Sequence, residues 1–128
     1  MIFTETKLKG ALIIEPEKFE DGRGFFARIW DKNEFYERGL RDTFVQNSIS
    51  FNRLKGTLRG LHFQIEPQEE KLIFCTKGSI FDVIIDLRQE SSTFKQWFGI
   101  ELSEENHKMI YVPKGFAHGF QTLENDTE

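Results

Sequence analysis

The chain has 128 residues, a length that fits one domain with a sizeable core and leaves no room for two ordinary domains. Its 38% hydrophobic and 14% aromatic residues exclude a disordered polymer, and the formal net charge of -4 argues against a general nucleic-acid binder. A single cysteine excludes an internal disulfide, and neither a membrane span nor a signal peptide is recognisable. These features predict a single domain over residues 1–128, in the cytoplasm and without membrane association.

Short apolar or alternating runs separated by turn signals predict about eight β-strands. In chain order these runs occupy residues 12–14, 25–30, 44–51, 72–76, 80–87, 97–102, 109–112 and 116–123. Residues 61–64 lie in a further strand-like setting, and a polar loop that contains Pro67 is predicted at residues 65–70. Turns are predicted at residues 21–24 and 77–79, where glycines are present.

One helix is predicted, over residues 32–40. Asp31 is suited to be its N-cap, and Phe35, Tyr36 and Leu40 are expected to share one face. Many short strands with a single helix indicate an all-β, antiparallel sandwich or barrel, and a jelly roll is the architecture we prefer among these.

Two glycine-rich stretches place polar residues in a strand context. Residues 56–64, Gly-Thr-Leu-Arg-Gly-Leu-His-Phe-Gln, include His62 and Gln64, which are two apart and are expected to face the same side of a sheet. Residues 113–120, Pro-Lys-Gly-Phe-Ala-His-Gly-Phe, place His118 just after a tight turn. On the pattern alone, both histidines fit either a functional site or an ordinary core or surface position.

The same stretches resemble a known family when they are taken with Lys71-Leu72 and with residues 21–26 and 81–88. In their order along the chain they are similar to the dTDP-4-dehydrorhamnose 3,5-epimerases. The resemblance implies a cupin-type jelly roll that epimerises a nucleotide-linked 4-keto-6-deoxy sugar beside its C4 ketone. It also implies a dTDP-linked substrate, no cofactor, and a homodimer whose nucleotide site is built across two chains.

The resemblance implies three catalytic residues. His62 would be the base that removes an α-proton, since a histidine titrates close to the working pH. Lys71 would stabilise the resulting enolate, and Asp82 would be a buried carboxylate that holds this lysine charged. Without the resemblance, Lys71 would be interpreted as a solvated loop residue and Asp82 as a strand-edge residue.

The resemblance also implies five substrate contacts, at Arg23, Phe26, Gln46, Arg59 and His118. The two arginines would grip the diphosphate, so we expect them to converge on one pocket near His62. Phe26 and Gln46 would contact nucleotide and sugar, and His118 would line the sugar site. On the pattern alone, Phe26 would be a core residue.

Three features depart from the family pattern. One is an imperfect alignment before residue 56, where Asn47 and Ser48 compete for one asparagine position of the family. Arg28 replaces a glutamate that commonly touches the nucleobase, so the base preference is left open. The family's acid tyrosine, and the aspartate that orients its histidine base, would both follow Glu128. The chain is therefore expected to lack the family's C-terminal part, to bind a dTDP-sugar and to show little net epimerisation. A non-catalytic sugar-nucleotide-binding cupin and a related 4-keto-sugar isomerase are kept as alternatives.

Two further expectations concern metal binding and assembly. The turn before His118 resembles the second metal motif of cupins, but Gln64 replaces the second histidine of the first motif, so we expect no metal. The strand at residues 12–14 is expected to expose backbone groups that a second chain covers, which favours a homodimer.

Overall fold

Antiparallel β-strands form nearly all the regular structure of the protein. The computed structural model describes residues 1–66 and 68–128, so Pro67 of the predicted polar loop lies outside the described residues. In chain order the elements are β1 (Ile2–Glu5), β2 (Leu12–Glu15), β3 (Lys18–Asp21), β4 (Gly24–Ala27), α1 (Lys32–Glu37), β5 (Leu58–His62), β6 (Lys71–Phe74), β7 (Ser79–Asp86), β8 (Trp97–Ser103), β9 (Met109–Val112) and β10 (Phe116–Thr122).

The strands form two four-stranded sheets and a separate hairpin. One sheet has the order β1-β2-β9-β6, the other has the order β5-β10-β7-β8, and among the described residues β3 pairs only with β4. Each pairing is antiparallel. The chain therefore passes back and forth between the two sheets, and the predicted all-β antiparallel architecture is confirmed.

The core is divided between two clusters of buried side chains that meet at β9. Ile110 and Val112 belong to the larger cluster with Leu8, Ile84 and others, whereas Met109 and Tyr111 belong to the cluster around Phe35. Neighbouring residues of a strand point to opposite faces, so a strand with apolar residues at every position is buried on both sides. This explains why β9 is a continuous apolar run without polar alternation.

The predicted helix is correct in its start and too long at its end. The Asp31 carboxylate accepts hydrogen bonds from the backbone N–H groups of Asn33 and Glu34, at 3.0 and 3.1 Å. Phe35 is fully buried, but Tyr36 is 72% exposed, because so short a helix contacts the core along one narrow stripe. Within the described residues, no helix is long and apolar enough to cross a membrane.

Other strand predictions differ from the structure. Residues 44–51 form no strand, and their apolar side chains Val45 and Ile49 are 89% and 79% exposed, because the segment has no neighbouring strand to pair with. The strand predicted at residues 25–30 ends at Ala27, and β1 and β3 were not predicted.

The position of β2 overturns one argument for a dimer. β2 lies between β1 and β9 and is hydrogen-bonded to both, so the backbone of residues 12–14 is already paired within the chain. The prediction that this strand exposes unpaired backbone is wrong. The sheet edges are β1, β6, β5 and β8 instead.

A buried carboxylate ties together the loops next to β7. Asp86 is fully buried and accepts hydrogen bonds from Arg88, Ser91 and Thr93, and the Arg88 guanidinium also donates to the Lys9 carbonyl at 2.6 Å. Burial by itself would raise the pKa of Asp86. The hydrogen bonds from Arg88, Ser91 and Thr93 outweigh burial and hold this pKa well below its usual range.

We expect Asp86→Asn to lower the free energy of unfolding at pH 7 by roughly 3 kcal/mol, because it leaves the half-buried Arg88 guanidinium without the fully buried carboxylate that balances its charge. Because the pKa of Asp86 is lowered, its charge stabilises the fold at neutral pH, and this stabilisation is lost progressively as the pH falls below about 4. The difference in the free energy of unfolding between wild type and variant should therefore narrow at low pH. Urea unfolding at several pH values measures this. Asp21→Asn is the control, because the exposed Asp21–Arg23 pair has the same spacing and should matter little. Equal effects of the two substitutions would contradict the prediction.

Candidate functional site

The pairing register of three strands brings four predicted site residues to one face of a sheet. In the β5–β10 pair, His118 lies opposite His62 and Phe120 lies opposite Arg59. In the β7–β10 pair, Phe120 lies opposite Asp82. Directly opposed residues of antiparallel strands point to the same side, so Arg59, His62, Asp82 and His118 all face inward.

An irregularity in the β5–β10 ladder makes this arrangement possible. Arg59 and His62 are three residues apart and would face opposite sides of a regular strand. The register shifts between His118 and Phe120, which is typical of a β-bulge, and this shift turns both side chains to the same face. The bulge therefore determines which side chains of β5 reach the site.

Two glycines allow the backbones to approach closely at this bulge. A Cβ atom on Gly60 would lie 2.7 Å from the His118 carbonyl oxygen and 2.8 Å from the Cα atom of Gly119, and Gly60 has φ +98°. A Cβ atom on Gly119 would lie 2.6 Å from the Arg59 carbonyl oxygen. Neither position has room for a side chain.

His118 and Asp82 form a buried pair beneath the inward face. The His118 Nε2 atom lies 2.7 Å from Asp82 Oδ2, and the two side chains are 10% and 0% exposed. The other oxygen, Oδ1, has no hydrogen-bond partner among the described residues. In the described part of the chain the carboxylate of Asp82 is hydrogen-bonded to His118 and makes no ion pair with Lys71, which differs from the expected Asp82–Lys71 contact.

Lys71 is paired with a residue that the sequence analysis did not select. Its Nζ atom lies 3.5 Å from Glu69 Oε2. A small polar pocket, which we call the His62 pocket, is lined by His62, Gln64, Glu69, Lys71, Gly115 and Phe116. His62 and Gln64 share this pocket, as their two-residue spacing predicts. The same spacing, applied to Glu69 and Lys71, would have drawn attention to Glu69.

Arg59 is held by a second residue that was not predicted. Its Nε atom donates to Asn52 Oδ1 at 2.6 Å, and Asn52 is 4% exposed. Asn52 donates in turn to the carbonyl oxygens of Ser50 and Thr127, at 3.2 and 3.4 Å. Because Asn52 is neutral, it fixes the guanidinium without cancelling its positive charge. No local pattern in the sequence connects Asn52 with Arg59.

The remaining predicted contacts lie away from the His62 pocket of their own chain. Arg23 is at the turn between β3 and β4, where its side chain is 92% exposed and bonded to Asp21 at 2.6 Å. Phe26 is on β4 and 68% exposed. Gln46 is exposed in the segment without secondary structure. None of them lines the His62 pocket, and neither does Arg59, so the structure of one chain does not bring the two arginines together at this pocket.

A larger cleft has different chemistry. It measures about 180 Å³ and is walled mainly by apolar side chains from the hairpin and from β6, including Phe25, Ile29 and Phe74. Cys75 lines this cleft, but its side chain is almost fully buried, and burial raises the pKa of the thiol, which opposes formation of a reactive thiolate. No predicted site residue lines this cleft. Within the described residues, no three His, Cys, Asp or Glu side chains are grouped closely enough to hold a metal ion.

The fold and the inward-facing polar residues define a class, that of antiparallel jelly-roll domains with polar side chains on the inward face of one sheet. The chain belongs to the dTDP-4-dehydrorhamnose 3,5-epimerase family, whose sequence model matches residues 5–128. It is 46% identical over 124 residues to the family member of Methanothermobacter thermautotrophicus, covering 97% of this chain and 66% of that protein. It is also 46% identical over 130 residues to the family member of Salmonella typhimurium, covering 100% of this chain and 70% of that protein.

Solved structures of family members show the same fold. The Bacillus anthracis enzyme, with TDP and PPi bound, gives a TM-score of 0.93 at 47% identity and covers 98% of this chain and 73% of that one. The Legionella pneumophila enzyme, in complex with dTDP-4-keto-L-rhamnose, gives a TM-score of 0.92 at 41% identity. The match covers 98% of this chain and 67% of that one. The predicted cupin-type jelly roll is therefore confirmed. The chain spans about two thirds of the length of the curated relatives it matches.

We expect Gly60→Ala to lower the free energy of unfolding by roughly 3 kcal/mol, because the new methyl group meets the backbone of β10 and the φ angle is unfavourable. Gly56→Ala is the matched control. Gly56 has φ +82° with nothing within 4 Å of an added Cβ, so only the backbone cost of about 1 kcal/mol applies. Urea unfolding of both variants gives the comparison. A Gly60 variant that is no less stable than the Gly56 variant would contradict the close approach of the two strands.

Proposed function

We propose that the protein binds a dTDP-linked 4-keto-6-deoxy sugar and epimerises it slowly, with His62 as the base. The observation that supports this best is the strand register, which points Arg59, His62, Asp82 and His118 toward one interior space. This register brings together a cation for the phosphates, a base for the carbon-bound proton, and a buried polar surface beneath the sugar. The nucleotide ligands named for the related structures are consistent with this substrate class.

The proposed reaction moves a proton without net change in composition. His62 takes the α-proton beside the C4 ketone, and the electron pair of the broken C–H bond moves into the carbonyl to form an enolate. The Lys71 ammonium lies in the same pocket and stabilises the negative oxygen. A proton from water on the opposite face of the carbon restores the ketone with inverted configuration, and the proton held by His62 returns to solvent.

Binding of the nucleotide is assigned to the arginines. Arg59 keeps its full charge because its partner Asn52 is neutral, so its remaining N–H groups are available for a diphosphate. His118 and Asp82 form the floor of the sugar site. A cytoplasmic location stays a prediction from the sequence.

The proposal includes a homodimer in which the hairpin of one chain completes the site of the other. Arg23 and Phe26 are exposed on the hairpin and do not line the pocket of their own chain, which is the arrangement expected if they serve a partner. The outer face of the β5-β10-β7-β8 sheet also exposes large apolar side chains, at Leu58, Leu61, Phe81 and Trp97. Apolar surface of this extent favours association.

The first experiment follows solvent deuterium into a dTDP-4-keto-6-deoxy sugar by NMR. His62→Asn should abolish incorporation and leave binding of the nucleotide intact, since the base is lost but Arg59 is unchanged. His107→Asn is the control, because His107 does not line the His62 pocket and asparagine tolerates its φ of 54°. Exchange that persists in His62→Asn would overturn the assignment of the base, and binding without any exchange in the wild type would favour the non-catalytic binder. The product spectrum distinguishes an epimerase from a related isomerase.

The second experiment tests the shared site by co-expressing the Arg23→Ala and His62→Asn variants and measuring deuterium exchange. In a mixed dimer one site would combine His62 from one chain with Arg23 from the other, so about a quarter of all sites should be intact after random pairing. Arg59→Ala with His62→Asn is the control and should recover no exchange activity. Arg59 and His62 lie on the same strand, so both come from one chain and no mixed dimer has an intact site. A monomer by light scattering, or no recovery with the first pair, would contradict the proposal.

A further inference from the structure

The His62 pocket contains a carboxylate that the proposed reaction does not use. Glu69 and Lys71 form an ion pair with 3.5 Å between Oε2 and Nζ, and their side chains are 37% and 31% exposed. At this exposure an ion pair contributes little to folding stability. Both side chains line the His62 pocket, so the effect of Glu69 is expected on the ligand rather than on the fold.

The pair sets the net charge of this pocket. Apart from His62, the lining contains one positive charge, on Lys71, and one negative charge, on Glu69. Without Glu69 the pocket would be cationic and would attract a carboxylate. The neighbouring Glu70 does not supply this balance, because it pairs with Arg41 at 3.8 Å and does not line the pocket.

We propose that Glu69 is a specificity-determining residue that makes the pocket accept an uncharged sugar ring and reject a sugar that bears a carboxylate. The inference rests on the proposed function, since it assumes that the sugar of a dTDP-sugar enters the His62 pocket. Specificity is a difference between two affinities, and a like charge placed against the wrong ligand is an effective way to produce it. The lysine needed for the enolate is thereby kept without attracting acidic sugars.

The experiment measures binding of dTDP-glucose and dTDP-glucuronate by calorimetry. Neither ligand has a 4-keto group, so turnover does not interfere, and the two differ by the C6 carboxylate. Glu69→Gln should tighten binding of dTDP-glucuronate about ten-fold while binding of dTDP-glucose changes less than about two-fold, because only the charged sugar feels the lost repulsion. Thermal unfolding should be unchanged in this variant. High salt should reduce the difference between the variant and the wild type.

Three variants make the test specific. Glu69→Asp keeps the charge and should behave like the wild type. Glu70→Gln removes an adjacent charge outside the pocket and should also behave like the wild type. Lys71→Met leaves Glu69 without its cation and should weaken dTDP-glucuronate binding further, the opposite direction to Glu69→Gln.

The outcomes separate this inference from the function on which it rests. Equal changes for both ligands in Glu69→Gln, or no change for either, would overturn the role of Glu69 even if the wild type binds dTDP-glucose and exchanges deuterium. Equally tighter binding of dTDP-glucuronate by the Glu70→Gln variant would also overturn the role of Glu69. Failure of the wild type to bind either dTDP-sugar would overturn the proposed function, and this inference with it.

Discussion

The close approach of β5 and β10 at Gly60 and Gly119 is the constraint on which the candidate site depends. A side chain at either position would meet the backbone of the other strand within 3 Å. The bulge that forms here turns Arg59 and His62 to the same face of the sheet, which regular alternation would forbid. A change in this backbone geometry would therefore move the arginine and the histidine apart, even though neither glycine has a side chain that could touch a ligand.

Charge in the site is controlled by the choice of partner for each cation. Arg59 is held by neutral Asn52 and keeps its charge, whereas Arg23 is bonded to the carboxylate of Asp21. Lys71 lies between these cases, because Glu69 balances its charge at 3.5 Å without burying it. The three basic residues therefore differ in their electrostatic properties, because each has a different kind of partner: a neutral amide, an exposed carboxylate or a carboxylate that lines the pocket.

The buried carboxylates illustrate how similar residues on one strand acquire different roles. Asp82 and Asp86 are both fully buried on the inward face of β7. Asp86 is saturated by Arg88 and two hydroxyl groups, as expected of a structural anchor. Asp82 bonds only to His118 and leaves Oδ1 without a partner among the described residues. A buried polar atom without a partner is costly, so Oδ1 differs from the saturated Asp86 in being free to accept a hydrogen bond from a ligand or a water molecule.

Local patterns determined much of the fold. The alternation of residues 80–87 predicts β7, and Asp31 predicts the start of the helix, because both depend on neighbours in sequence. The sequence also pointed to His62 and Lys71, which line one pocket. Only the tertiary structure decided that residues 44–51 form no strand with the described part of the chain, that β2 is paired on both sides, and that Asp82 bonds to His118. These outcomes depend on which distant strands become neighbours, and strand order and register are set by packing across the whole chain.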